Sequence, residues 1–63
     1  MPMKVREMIR LVEQDGWEFH SQRGSHRQYT HPVKKGRVTI PGKESADLDI
    51  RTERSILRQA GLR

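Results

Sequence analysis

The 63-residue sequence contains no cysteine, so it forms no disulfide bond and offers no thiolate for catalysis or metal binding. It also lacks an apolar run near the roughly 18 residues that a membrane-spanning helix needs, and it lacks the apolar stretch of a signal peptide. These absences favour a protein that works in the reducing cytoplasm. At this length a chain buries only about 60% of its unfolded surface, so we expect one small, marginally stable domain.

Acidic residues are absent from one internal stretch, residues 19–43. That stretch holds six of the thirteen Lys and Arg residues and all three histidines. The other seven basic residues are slightly outnumbered by the eight acids, so the net charge of +5 is confined to this segment. A localised positive charge indicates a polyanion such as nucleic acid, and imidazoles indicate proton transfer near neutral pH. The alternative is a basic protein whose charge only keeps it soluble.

Residues 4–15 and 50–60 carry apolar side chains at helical spacing, so each range is expected to form an amphipathic helix. Pro2 is expected before or in the first turn of the first helix, and Gly16 is expected to cap its C-terminal end after Asp15. Asp49 is the expected N-cap of the second helix, and Gly61 ends it. The acids around Asp49 are interpreted as favouring that helix N-terminus rather than as metal ligands. The apolar positions are Val5, Met8, Ile9, Leu11 and Val12 in the first helix, and Ile56, Leu57, Ala60 and Ile50 in the second.

Residues 17–23, 26–31 and 37–40 alternate apolar and polar side chains, which predicts three strands. Gly24 and Ser25 form the turn between the first two. A strict two-residue loop would pair position 19 with position 30. Pairing Phe19 with Tyr29 requires a bulge or a three-residue loop, but it places Trp17 on the same face as both, and we favour it. The opposite, polar face would then carry His20, Gln22, His26, Gln28 and Thr30.

The order helix, strand, strand, strand, helix predicts a single α+β domain over residues 1–63. A three-stranded antiparallel sheet with both helices on its apolar face is the simplest way to bury these stripes. The sequence shows no repeat and no second domain. Residues 43–48 are expected to be a polar connection between the third strand and the second helix.

The turn at residues 23–28 places a histidine between two arginines, directly after a glycine and a serine. RNA cleavage through the 2′-hydroxyl needs a base, an acid and positive charge at the phosphorus. His26 is a candidate base or acid, and Arg23 and Arg27 can supply charge. The competing interpretation is an ordinary surface histidine that closes a hairpin. His20 and His31 are expected to be ordinary strand-edge side chains, and the spacing of the three histidines matches no common metal site.

Five segments together resemble the HicA toxin family, in order and over nearly the whole chain. They are Lys-Val-Arg-Glu at 4–7, Asp-Gly-Trp at 15–17, Arg-Gly-Ser-His-Arg-Gln-Tyr at 23–29, Val-Thr-Ile-Pro-Gly at 38–42 and Ile-Leu-Arg-Gln-Ala-Gly-Leu at 56–62. The resemblance implies a fold similar to a double-stranded RNA-binding domain. It also implies the toxin of a type II toxin–antitoxin system, a ribonuclease that cleaves messenger RNA and is blocked by a HicB-type antitoxin.

The family's catalytic histidine falls on a Gly-Ser-His turn, which corresponds to His26, with Gly24 and Ser25 presenting it. Many relatives have a histidine soon after the Pro-Gly that ends the third strand, where this chain has Lys43. Lysine can replace the charge of that histidine but shuttles protons poorly near neutral pH. The identity of a second acid or base therefore stays open.

The sequence leads to the hypothesis of a cytoplasmic endoribonuclease that uses His26 and needs no metal or other cofactor. The alternatives are a non-catalytic RNA-binding module that uses the same basic surface, and an interaction protein that docks on an acidic partner. The residues expected to contact RNA are Arg23, Gly24, Ser25, Arg27, Lys34, Lys35, Arg37 and Lys43.

Overall fold

The computed structural model describes residues 3–63, so the predicted place of Pro2 lies outside the described residues. The predicted α+β fold and element order are confirmed, and each element is slightly shorter than predicted. Neither helix within residues 3–63 has the length and apolar character needed to cross a bilayer. The elements are α1 (Val5–Gln14), β1 (Glu18–Arg23), β2 (His26–Thr30), β3 (Val38–Ile40) and α2 (Ile50–Gln59).

The three strands form one antiparallel sheet in the order β1-β2-β3. Phe19 pairs with Tyr29, which confirms the predicted register. Ser21 pairs with Gln28, so the one-residue offset is a bulge at His20, and the turn keeps a two-residue loop. Each residue between the bulge and the turn therefore lies on the face opposite to the one that strict alternation from Phe19 would assign.

This bulge corrects the predicted position of Gln22. Gln22 pairs with Arg27, which lies on the same face of β2 as the buried Tyr29. Gln22 is therefore on the helix side of the sheet and not on the polar face with His26. Phe19 does share the face of Tyr29 and packs edge-on against its ring, with 5.9 Å between centroids. It is nevertheless 55% exposed, because the helices do not extend over this part of the edge strand β1.

Both helices bury their apolar stripes against one face of the sheet, in a single core. Ile50 was expected in this stripe but is 53% exposed at the first position of α2. Leu48, expected in a polar connection, is 5% exposed and belongs to the core. Burial of one such aliphatic side chain contributes about 1.5–3 kcal/mol. The core residues are Val5, Met8, Val12, Trp17, Tyr29, Val38, Ile40, Leu48, Ile56 and Ala60.

The connection between β3 and α2 runs along the start of α1, where no side chain caps the helix. Its carbonyl groups accept from the first free N–H groups of α1, with N···O distances of 2.9 Å for Val5 to Ala46 and 3.1 Å for Arg6 to Glu44. At the other helix, Asp49 caps α2 as predicted, because its carboxylate accepts from the N–H of Arg51 at 3.1 Å. These contacts hold the connection between β3 and α2 against the start of α1 and define the first residue of α2.

Candidate functional site

The turn between β1 and β2 presents His26 at the tip of the hairpin. Gly24 has a φ of +60° and is followed by Ser25 at negative φ, the pattern of a type II′ turn, which favours glycine at its first central position. The side-chain amide of Gln22 donates to the carbonyl of Gly24 at 2.8 Å and closes the turn. His26 is the first residue of β2, pairs with Arg23, and is exposed to solvent.

The outer face of the hairpin, opposite the core, forms a shallow depression beside His26. It is lined by Arg23, Gly24, Ser25, His26, Gln28 and Thr39. Arg37 reaches the same face, because its guanidinium donates to the side-chain oxygen of Gln28 at 3.0 Å. The structure therefore brings four of the predicted RNA-contacting residues, Arg23, Gly24, Ser25 and Arg37, to the face that carries the predicted catalytic histidine.

A second depression adjoins His26 on the side of α2, and we call it the α2 groove. Its sheet wall is formed by His26, Thr39 and Pro41, and its helix wall by Arg51, Thr52, Ser55, Ile56 and Gln59. The sequence interpretation did not include the helix wall in the site. One signal was present in the sequence: Arg51 is a cation in the first turn of a helix, where the helix dipole disfavours positive charge.

Arg27 and Lys43 lie on the other side of the hairpin. The guanidinium of Arg27 donates to the carbonyl of Gly42 at 3.2 Å and ties β2 to the end of β3. Arg27 and Lys43 line a further depression with Gln22, the turn residues, Gly42 and Glu44. These two cations therefore flank the hairpin tip rather than the outer face, and the carboxylate of Glu44 offsets part of their charge.

Lys34 is half-buried and its ammonium is held by the fold at the C-terminal end of α2. Its ammonium donates to the carboxylate of Asp15 at 2.5 Å and to the carbonyl of Ala60 at 3.0 Å, so it joins the C-terminal ends of both helices. The hydrogen bond from Lys34 lowers the pKa of Asp15 below its ordinary value of 3.8, against the opposing effect of burial. Lys35 is exposed in the loop before β3.

The three histidines have three different environments. His31 was expected to be an ordinary strand-edge side chain, and this is wrong. Its Nε2 lies 2.8 Å from the carbonyl oxygen of Asp15, its Nδ1 accepts from the N–H groups of residues 33 and 34 at 3.0 Å each, and its ring packs edge-on against Trp17 at 5.1 Å. These partners fix the orientation of the ring, with Nδ1 facing two N–H donors and Nε2 facing a carbonyl oxygen. His20 is exposed at the bulge, and His26 lines both depressions.

Comparison with known proteins identifies the family. Residues 5–62 match the family described as "HicA toxin of bacterial toxin-antitoxin". The chain belongs to the HicA toxin family. This HicA-family chain is similar to one chain of a solved structure titled "Toxin-Antitoxin complex from Streptococcus pneumoniae". The similarity covers 97% of this chain and 100% of that chain, at 34% identity and a TM-score of 0.78. No curated protein matches.

The region that matches the family contains the Gly24-Ser25-His26 turn. Within the described residues, no three His, Asp or Glu side chains come together in a way that could hold a metal ion. The groups that line the two depressions beside His26 include guanidinium groups, hydroxyl groups and the backbone N–H groups of the turn.

Proposed function

We propose that this HicA-family protein is the toxin of a type II toxin–antitoxin system and a metal-independent endoribonuclease that cleaves messenger RNA with His26. One observation carries the proposal. His26 is exposed where the outer face meets the α2 groove, and these two depressions contain arginines and no carboxylate. A surface of this charge attracts the phosphates of RNA, and imidazole is the side chain that exchanges protons near neutral pH.

The proposed reaction is a transesterification at one phosphate. The O2′ oxygen attacks phosphorus, so that the P–O2′ bond forms, the P–O5′ bond breaks, and the 2′-hydroxyl proton leaves. In-line attack places O2′ and O5′ on opposite sides of phosphorus, so one imidazole serves one of the two oxygens. We assign to His26 the removal of the O2′ proton. Because the site is open to solvent, water protonates the leaving O5′, and the resulting hydroxide takes back the proton that His26 received.

The positive groups around His26 have two proposed tasks. On the outer face, Arg23 and the N–H groups of the turn stabilise the charge that develops on the phosphoryl oxygens, and Arg37 holds a neighbouring phosphate. Arg27, Lys35 and Lys43 contact phosphates farther along the strand, where each neutralised phosphate changes the salt dependence of binding by about −0.7 in slope. Lys34 contributes least, because Asp15 and Ala60 already hold its ammonium.

The proposed protein partner is a HicB-type antitoxin, supported by the similar chain that was solved in a toxin–antitoxin complex. An antitoxin that covers the outer face with acidic side chains would both accelerate association and exclude RNA from His26. Binding of such a partner would also stabilise a domain of only 63 residues by mass action. We place this pair in the cytoplasm, where messenger RNA is translated.

The in-cell test is induced expression of the wild type, His26→Gln and His20→Gln, with growth and messenger RNA integrity followed over time. His20→Gln is the matched control, because it removes an exposed imidazole that lines neither depression. We expect the wild type and His20→Gln to arrest growth and degrade messenger RNA, and His26→Gln to do neither. Arrest with intact RNA by all three proteins would instead support the non-catalytic RNA-binding module.

A further inference from the structure

The α2 groove places a helix-borne cation opposite the proposed catalytic histidine. Arg51 forms part of its helix wall, and His26 forms part of its sheet wall. The groove has a volume of about 360 Å³, within the range of clefts that hold small organic ligands, about 300–1,000 Å³. One nucleotide unit with its phosphate is a ligand of that class.

The charge of Arg51 is not used within the described chain. The ion pairs found within residues 3–63 join Lys4 to Asp47 and Lys34 to Asp15. No Asp or Glu lines the α2 groove. Asp49 and Glu53 offset the positive partial charge of this helix start, but neither forms an ion pair with the Arg51 guanidinium or lines the groove, so that guanidinium is available to an anion there.

The two walls of the groove are fastened to each other by Gln59. Its side-chain oxygen accepts from the N–H of Thr39 on the free edge of β3 at 3.0 Å, and its side-chain nitrogen donates to the hydroxyl of Ser55 at 3.2 Å. Beneath them, Ile56 is buried in the core. These hydrogen bonds hold α2, which carries Arg51, in a fixed position against β3. The groove is therefore formed before substrate binds.

We propose that Arg51 is a second catalytic residue, which binds the scissile phosphate from the α2 side while His26 acts on O2′. The inference rests on the proposed ribonuclease function and names the group that stabilises its transition state. A guanidinium presents a planar set of N–H donors that matches two phosphoryl oxygens, and its hydrogen bonds strengthen as charge develops on them. The protein would thus bind one phosphate from two sides, with Arg23 on the hairpin and Arg51 on the helix.

The test compares Arg51→Gln with Arg54→Gln. Both substitutions remove one positive charge from α2, but Arg54 is exposed and lies outside the groove. The assay is single-turnover cleavage of a short RNA at saturating protein in excess chelator, with His26→Gln alongside. We expect Arg51→Gln to slow cleavage by about 10²-fold or more, as for the loss of one donor to a transition-state oxyanion. Arg54→Gln should stay within about threefold of the wild type, because solvent and salt screen its charge.

Two further measurements separate catalysis from simple attraction. Circular dichroism and urea midpoints should be equal for the two variants. Arg51→Gln should lose far less affinity for a 2′-O-methyl RNA, which cannot be cleaved, than it loses in cleavage rate. Equal cleavage rates for Arg51→Gln and Arg54→Gln would overturn the role of Arg51 while leaving the ribonuclease proposal intact. A wild type that leaves RNA uncut would overturn both, and only that result rejects the enzyme itself.

Discussion

Replacement of His31 by alanine tests whether this histidine holds the fold together. The substitution removes the hydrogen bond to the Asp15 carbonyl, the acceptor for two N–H groups of the following loop, and the edge-on contact with Trp17. Hydrogen bonds contribute about 0.5–1.5 kcal/mol each, and the low end applies to the exposed Val33 N–H, which water can satisfy. The aromatic contact contributes about 0.5–1.5 kcal/mol more. The sum predicts a loss of about 2–5 kcal/mol in the free energy of unfolding.

Such a loss is a large part of the whole free energy of unfolding of a domain of this size, which is about 3–5 kcal/mol. The assay is urea unfolding followed by circular dichroism and by the fluorescence of Trp17, the single and buried tryptophan. With a slope near 1 kcal/mol per molar urea, the midpoint should fall by about 2 M or more, or the variant should be partly unfolded without urea.

Two companion variants make the His31 experiment decisive. His31→Asn retains a side-chain oxygen that can accept from the loop N–H groups, as in an Asx-turn, but it loses the contact with Trp17. It should therefore lie between the wild type and His31→Ala. His20→Ala removes an exposed imidazole and should change the unfolding free energy by less than about 0.5 kcal/mol. If His31→Ala is as stable as His20→Ala, the structural role assigned to His31 is wrong.

Three further outcomes follow from the same contacts. Gly16 has a φ of +104°, and a Cβ added there would lie 2.7 Å from His31 Nε2. Gly24 has a φ of +60°, but a Cβ added there would meet open space. In thermal melts, Gly16→Ala should therefore be clearly less stable than Gly24→Ala. Lys34→Met should be less stable than the wild type at neutral pH. The hydrogen bond from Lys34 is the main cause of the lowered pKa of Asp15 in the folded protein. The stability that this ion pair contributes is therefore present above pH 3.8 and is lost as the pH falls below that value. The difference in urea midpoint between Lys34→Met and the wild type should narrow in acid. Gln59→Ala removes the acceptor for the edge N–H of β3 and should lower stability by about 1 kcal/mol in urea unfolding, with local loss of hydrogen-exchange protection at Thr39.

The sequence was sufficient for the features that depend on local pattern. Periodicity of 3.6 and 2 gave the elements, and the need to place Phe19 and Tyr29 on one face gave the correct register across a bulge. The same argument misplaced Gln22, because it could not show where along β1 the extra residue sits. A bulge reverses every side chain on one side of it, so its position matters as much as its existence.

Features that depend on contacts distant in sequence were not predictable. Lys34 was assigned to RNA from charge alone, although its partners Asp15 and Ala60 lie 19 and 26 residues away. His31 was treated as a surface residue for the same reason. Only one part of the candidate site could be predicted from the sequence. The turn that presents His26 follows from Gly24 and Ser25. The α2 groove exists only because the second helix returns beside β3.

The most direct test of the central claim is the rate at which purified protein cleaves RNA in excess chelator, measured for the wild type, His26→Gln and His20→Gln. General acid–base catalysis by one group contributes about 10²–10⁴-fold, so His26→Gln should lose at least 10²-fold while His20→Gln retains the wild-type rate. All three should share the same unfolding midpoint, since both side chains are exposed. Undiminished cleavage by His26→Gln would contradict the account.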